Sequence, residues 1–281
     1  MTAKRMRYGA VLPGGTAPEQ VELGVLAERC GWDGVFTWEA AYGVDPWSVL
    51  AAIAARTSLV RLGTMLTPLP WRRPWKVASQ VATVDQISRG RAILAVGVGA
   101  TDTNLPDTGE EIRLRERAEM LDEGIDLIRA LWDGKGSYDG RHYRYHSERT
   151  DLVAAVRPVQ DRIPVWVVGV WPGRKSMRRV LRCDGLIPQF RENGEVSGPD
   201  GVRAARLWLA ENGAGGDHDV IADGETPAGD PGEVGSWAKA GCTWWLETRW
   251  GVQEDLAQRV SAMRERLEAG PPKSAADGGV S

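Results

Sequence analysis

Gly34-Val35-Phe36-Thr37-Trp38-Glu39, then Val60-Arg61-Leu62-Gly63-Thr64-Met65-Leu66, then Ala92-Ile93-Leu94-Ala95-Val96-Gly97-Val98-Gly99 are the stretches whose reading decides the fold. Each is a short apolar run without polar alternation, as expected of a strand buried on both faces of a parallel sheet. Helix-like segments lie between them, so the chain reads β-α-β-α. In such folds chemistry gathers where the strands end at their C-terminal side.

The same unit continues in both directions. A first strand, Tyr8 to Leu12, precedes a helix that opens on Thr16 and Glu19 at capping-box spacing and carries Leu23, Leu26, Ala27 and Cys30 on one face. Helices are predicted over 46–56 and 74–88, the latter with a stripe of Val77, Val81, Val84 and Ile87. A long helix bearing Leu114, Ala118, Leu121, Ile125, Ile128 and Trp132 follows the fourth strand. Further strands are expected at Val165–Val168, Asp184–Ile187, Asp219–Ala222 and Thr243–Glu247, and a last helix carries Leu256, Val260, Met263 and Leu267. Eight units of this kind close into an α/β fold of the (β/α)8 TIM-barrel type, whereas an open doubly wound sheet needs fewer strands and a switch point. We expect one barrel domain over 1–269, with a polar excursion over 133–162 that includes a hairpin near Ser137 to Tyr143. The Pro/Gly/Ala/Ser tail 270–281 has nothing to bury and is expected to be disordered.

The chain has 281 residues, 42% of them hydrophobic, a size that suits one such barrel. With 35 basic and 38 acidic side chains and no basic stripe, nucleic acid is not an expected partner. Cys30, Cys183 and Cys242 are odd in number and widely spaced, as for reduced, small apolar residues of a cytoplasmic protein. The N-terminus lacks a signal-peptide core, and no run is long enough for a membrane span. Trp dominates the aromatics, 13 against 2 Phe and 5 Tyr, and several fall at strand ends. Core packing accounts for many of them. Trp38, Tyr42, Trp71 and Trp250 also suit the wall of a substrate pocket for a flat or apolar small molecule.

Four clusters carry candidate chemistry. Gly97-Val98-Gly99 lacks the third glycine of a dinucleotide fingerprint, since position 102 is Asp, but it lets a flat ligand approach the backbone. Gly169-Val170-Trp171-Pro172-Gly173-Arg174-Lys175-Ser176 follows a strand and opens a helix, which makes it either a phosphate seat or a solvated helix start. Glu39, Asp45, Glu247 and Arg249 are polar residues at strand ends. Glu39 and Glu247 suit acid–base catalysis if burial raises their pKa, and ion-paired support of the fold otherwise. His142, His146 and His218 have no metal-ligand spacing, and no metal site is expected.

With these segments in place, the chain resembles the bacterial luciferase-like family of flavin-dependent oxidoreductases over about residues 6 to 269. The resemblance is carried by Gly31-Trp32-Asp33-Gly34-Val35-Phe36, Arg61-Leu62-Gly63-Thr64, Arg72-Arg73-Pro74-Trp75 and Ser88-Arg89-Gly90-Arg91 leading into Ala95-Val96-Gly97-Val98-Gly99. Arg115-Glu116-Arg117, Ile163-Pro164-Val165-Trp166-Val167 and Cys183-Asp184-Gly185 extend it in the same order. The family implies a barrel, usually dimeric, that holds reduced FMN or the deazaflavin coenzyme F-420 at its strand C-termini. By position, Met65, Leu66 and Thr67 would lie beside the ring system with Gly97, Val98, Gly99 and Ala100 close by. Gly169, Val170, Trp171, Arg174, Lys175 and Ser176 would hold the phosphate. Two positions depart from family patterns: Glu39 is followed by Ala40 where His is common, and Ala100 stands where the deazaflavin-dependent sugar-phosphate dehydrogenases have Glu.

The leading expectation is therefore an FMN-dependent monooxygenase, fed by a separate flavin reductase and acting on a small organic substrate. The second is a coenzyme F-420-dependent reductase, with Arg72, Arg73, Arg174 and Lys175 facing the anionic tail. The third is a flavin-binding protein without turnover. The helix 46–56 is apolar nearly all round (Trp47, Val49, Leu50, Ala51, Ala52, Ile53, Ala54, Ala55), and the helix 74–88 is also rich in apolar residues. Both point to a two-fold homodimer with an interface above roughly 1,000 Å².

Overall fold

The computed structural model describes residues 5–100, 109–191, 197–228, 230–249 and 255–272. In chain order these form β1 (Arg7–Val11), α1 (Ala17–Arg29), β2 (Gly34–Thr37), α2 (Pro46–Arg56), β3 (Arg61–Thr64) and β4 (Thr67–Pro68). A single 3-10 turn, Leu69–Trp71, leads to α3 (Pro74–Ser88), β5 (Ala92–Gly97) and α4 (Leu114–Trp132). A hairpin of β6 (Ser137–Asp139) and β7 (Arg144–His146) and the short α5 (Thr150–Ala155) form the excursion. The chain then returns through β8 (Val165–Trp171), α6 (Arg174–Val180), β9 (Gly185–Phe190), α7 (Gly198–Glu211), β10 (Asp219–Gly224), α8 (Val234–Ala240), β11 (Trp244–Glu247) and α9 (Leu256–Glu268).

Eight of the strands close on themselves. β3, β2, β1, β11, β10, β9, β8 and β5 follow one another in parallel register, and β5 pairs back onto β3, completing the expected (β/α)8 barrel. β8, β9 and β10 run further towards their C-termini than apolar periodicity suggests, because their last turns trade core contacts for the barrel rim. β4, which pairs only with β5, is an addition that the Thr67-Pro68 sequence does not announce. The capping box of Thr16 and Glu19 forms as expected.

The two periodicities of a strand divide the core. Val35, Leu62, Leu94, Val167, Leu186 and Trp245 face the helices, while Phe36, Ile93, Ala95, Trp166, Ile187, Ile221, Trp244 and Leu246 fill the lumen. Phe36 stacks on Trp166 at 5.4 Å between centroids, and Trp244 meets Trp166 edge-on at 5.3 Å. Gly34 has to be glycine here, since a Cβ would come within 2.9 Å of both the Phe36 and Trp244 rings. The lumen is a packed core. It leaves room for chemistry only at the rim.

The lower, N-terminal end is closed by polar side chains, of which Asp85 and Arg91 have full sets of partners while Arg61 leaves its buried Nε without one among the described residues. Asp85, wholly buried at the end of α3, accepts the backbone N–H groups of Val159 and Gln160 at 2.8 and 3.0 Å and the Gln160 side-chain amide at 2.6 Å. Arg91 donates to the carbonyls of Ala54, Thr57 and Val60, closing the C-terminal end of α2 and the loop beyond it.

The large apolar residues of α2 are absorbed within one chain, while Ala51 and Ala52 are half-buried and Ala55 is exposed. Trp47, Val49, Leu50, Ile53 and Ala54 are all buried, with α1 on one flank and α3 on the other, so the surplus read from the sequence is not an exposed face. Cys183 and Cys242 are buried, and burial pushes their thiols up to about 11 and about 12; Cys30 is half-buried. Among the described residues, no helix is long and apolar enough to cross a membrane. Gly270 to Pro272 follow α9, and the rest of the expected tail lies outside the described residues.

Candidate active site

A cavity of about 360 Å³ opens at the C-terminal ends of β2, β3 and β4. Its walls come from the loop after β2 (Trp38 to Asp45), from Pro68 and Trp71 in the turn before α3, and from Arg72. Trp38 and Trp71 line it as expected. Tyr42 stands at its edge almost entirely exposed. Trp250 lies outside the described residues.

The Glu39 carboxylate in this wall is nearly all buried, its side chain 5% exposed. Arg72, from the turn before α3, pairs with Oε1 and reaches Gln80 with its other arm at 2.8 Å. Oε2 is buried and has no hydrogen-bond partner among the described residues. Burial raises the Glu39 carboxyl above the ordinary glutamate range, opposed chiefly by the Arg72 charge. The result is a carboxyl with one arm held by Arg72 and the other buried, with the Thr67 hydroxyl near enough to favour its charged form. A held, buried carboxyl suits proton transfer.

Glu247 ends a strand in the same way and has a different environment. Trp244 and Leu246 point into the lumen, so Glu247, one position on, faces the helices. Thr226 donates its N–H to Oε1 at 2.8 Å and its hydroxyl to Oε2 at 2.6 Å. Arg249 and the buried Arg266 lie at 3.1 and 3.5 Å. Both oxygens are engaged, tying β11 to α9 and to the loop after β10. Asp45 caps α2 by accepting the Ser48 N–H at 2.8 Å, which gives it a structural task as well.

The residues expected beside a ring system divide by parity. Met65 and Leu66, joined by a cis peptide, pack half-buried on top of the lumen cluster together with Val168. Gly97 lies among them, its inward position lacking a Cβ between Leu66 (3.0 Å) and Val168 (3.3 Å). Thr67 is fully buried with its hydroxyl 3.0 Å from that of Thr64, so it supports the floor from behind. Val98 packs outward against the main core, and Ala100 is exposed. Gly99 holds a left-handed φ of +80°, and the Trp71 ring lies where its Cβ would be, 2.3 Å away. Only Gly fits there.

In the loop after β8, Gly169 faces α6: a Cβ would meet Leu186 at 2.4 Å and Val180 at 2.8 Å, so its role is close strand–helix packing. Val170 takes the inward parity and Trp171 rests on Trp208 of α7. Arg174 and Lys175 are exposed at the start of α6. The Ser176 hydroxyl already accepts the Val170 N–H at 2.9 Å, so the loop's own fold uses it.

Sequence reading missed several mouth residues. Arg72 is expected from the sequence to face an anionic cofactor tail; the structure instead pairs it with Glu39 across the β2–α3 connection, a partnership no linear spacing announces. Gln189 and Asp223 share the inward parity of Ile187 and Ile221, on the strand extensions that periodicity stopped short of. His142 comes together with Glu116 and Glu119 on the excursion side of α4, a grouping without linear spacing. Arg141 also bridges those two glutamates.

Comparison with known proteins falls into place on this geometry. A family model described as luciferase-like monooxygenase matches residues 4–233. The chain belongs to that family. Its fold and oxidoreductase class follow from this membership. A sequence relative, the F-420-dependent glucose-6-phosphate dehydrogenase of Amycolatopsis mediterranei, is 34% identical over 204 residues, which cover 63% of this chain and 59% of that protein. Among solved structures, an F-420-dependent secondary alcohol dehydrogenase in complex with an F-420–acetone adduct superposes with a TM-score of 0.73 at 16% identity, over 96% of this chain and 100% of that one. A type II Baeyer–Villiger monooxygenase from Pseudomonas putida in complex with FMN does so with a TM-score of 0.62 at 21% identity, over 80% and 69%. At these identities the two structures speak for the fold alone.

Proposed function

We propose that this luciferase-like oxidoreductase uses coenzyme F-420 to reduce a small, largely apolar substrate with a carbonyl or polarised double bond. The observation that carries the reading is Glu39, a buried carboxyl in the cavity wall, raised by burial and held on one arm by Arg72. An apolar surface on which a flat ring would rest supports the same reading. Met65, Leu66, Val168 and the side-chain-free Gly97 give an apolar floor over a packed lumen, and no side chain projects from position 97. The named relative that depends on F-420 supports the choice.

When bound, a reduced deazaflavin supplies a hydride. The chain's own residues do the rest. Met65, Leu66 and Gly97 would hold the ring, and Val170, Arg174 and Lys175 would face the anionic end at the start of α6, where the first N–H groups have no intrahelical partner. Trp38 and Trp71 would exclude water and flank the substrate. Glu39 Oε2 would give its proton to the substrate oxygen or carbon as charge develops there, while Arg72 holds Oε1 in place and stabilises the carboxylate left behind. This reading assigns the proton transfer to Glu39 and asks no role of position 40.

The second reading is FMN-dependent monooxygenation with reduced flavin supplied by a separate reductase. The family description and the aromatic cavity lining favour it. Separate anaerobic titrations with reduced F-420 and reduced FMN discriminate the two. Saturable F-420 binding with carbonyl or enone turnover supports the proposal. Oxygen consumption with FMN alone supports the second reading.

A further inference from the structure

Arg117 sits in the first turn of α4 with only 4% of its surface exposed, and no carboxylate pairs with it among the described residues. Its Nη1 donates to two consecutive carbonyls, Val98 at 2.9 Å and Gly99 at 2.6 Å, and its guanidinium lies 5.4 Å over the Trp71 ring. Nε has no partner. Trp71 presses on Gly99 from the other side and donates its indole N–H to the Glu111 carbonyl at 3.1 Å, just before α4. One cation and one indole therefore grip the backbone leaving β5 and the backbone entering α4.

A buried, unpaired guanidinium is an expensive way to fill space that a Leu or Met would fill more cheaply. What only the guanidinium does here is gather two carbonyls and stack on an aromatic face at the same time. We infer that Arg117 is a positioning residue. It fixes the Gly97–Gly99 backbone and the Trp71 wall relative to each other and so sets the width of the slot between floor and wall. This rests on the proposed cofactor site at the mouth, and it adds that the site's shape is held from behind by α4. Arg91 is the natural control, being equally buried and likewise bonded to backbone carbonyls, but at the opposite end of the barrel.

The test compares Arg117→Met, Arg117→Lys, Trp71→Phe and Arg91→Met in the full chain, with reduced F-420 and reduced FMN as probes. Arg117→Met is expected to raise the Kd of the ligand that the wild type binds by about tenfold or more. Arg117→Lys should recover part of that loss, and adding Trp71→Phe to Arg117→Met should cost less than the sum of the single changes. Arg91→Met should lower the Tm while leaving Kd within about twofold, since it touches only the stability face. If Arg117→Met lowers Tm but leaves Kd unchanged, Arg117 is merely structural and the inference falls. Amide exchange separates this from the proposed function. If the wild type binds neither ligand, that function fails, and local acceleration of exchange at Gly97 to Ala100 in Arg117→Met, absent in Arg91→Met, still upholds the positioning role. Unchanged exchange at those amides overturns it.

Discussion

The two ends of the barrel contain the same kinds of buried polar residue and satisfy them to different degrees. At the lower end, Asp85 is surrounded by donors, and the Arg91 guanidinium nitrogens all find oxygen acceptors. At the mouth, Glu39 Oε2, Arg117 Nε and the Thr37 hydroxyl are buried without partners among the described residues. Unmade bonds cost stability. The lower end has such an atom in Arg61 Nε, on a guanidinium whose other nitrogens bond Gly90, Ala92 and Gln160, whereas the three at the mouth sit on three different residues. The contrast teaches which end builds the barrel and which end uses it.

The strongest way to break the contrast is at the lower end. Asp85→Ala strips an acceptor from several buried N–H groups and is expected to cost about 3 kcal/mol or more. The urea unfolding midpoint should fall accordingly, while the folded fraction keeps its affinity for ligand. A loss of affinity with unchanged stability would reverse the assignment of the two ends.

The paired glutamates sharpen the same comparison. Glu39→Gln is expected to lower turnover by roughly a hundredfold, because the proton donor is gone while the shape remains. Glu247→Gln should leave turnover of the folded enzyme near wild type and lower its stability by about 1–3 kcal/mol, since Arg266 and Arg249 lose their counter-charge. Exchange of these two outcomes would mean that β11, not β2, carries the chemistry. The pH dependence has a definite sign. Because the folded Glu39 carboxyl is raised, its contribution to stability is fully present below the unfolded glutamate value of 4.5 and is lost as pH rises through the folded value. Thermal melts from pH 4 upward should show that decline in the wild type and a flatter curve in Glu39→Gln.

The smallest expected effect is at His218, half-buried with Nε2 3.0 Å from the Val180 carbonyl. Burial lowers its pKa, so its contribution is present above the unfolded value of 6.5 and lost as pH falls through the folded value. His218→Gln should remove that acid limb from the melting curve and leave neutral stability nearly unchanged.

The barrel was legible because unbroken apolar runs such as Ala92–Val96, punctuated by capped helices, leave few alternatives. That same lack of polar alternation concealed the site. In Trp244-Trp245-Leu246-Glu247 every side is buried, so the sequence does not say which parity faces the lumen, and Glu247 reads like Glu39. Arg117 was visible within Arg115-Glu116-Arg117 as a family match. Its task depends on Gly99 and Trp71, which reach it only through closure of the fold. Trp47, Leu50 and Ile53 looked like surplus apolar surface until α1 and α3 covered them.

The most direct test of the account is an anaerobic titration of the intact chain with reduced F-420 beside reduced FMN, repeated with Arg117→Met. The account predicts saturable binding of F-420 tighter than about 10 μM, FMN weaker, and a clear loss of affinity in the variant. Binding of neither cofactor by the well-folded wild type would contradict it.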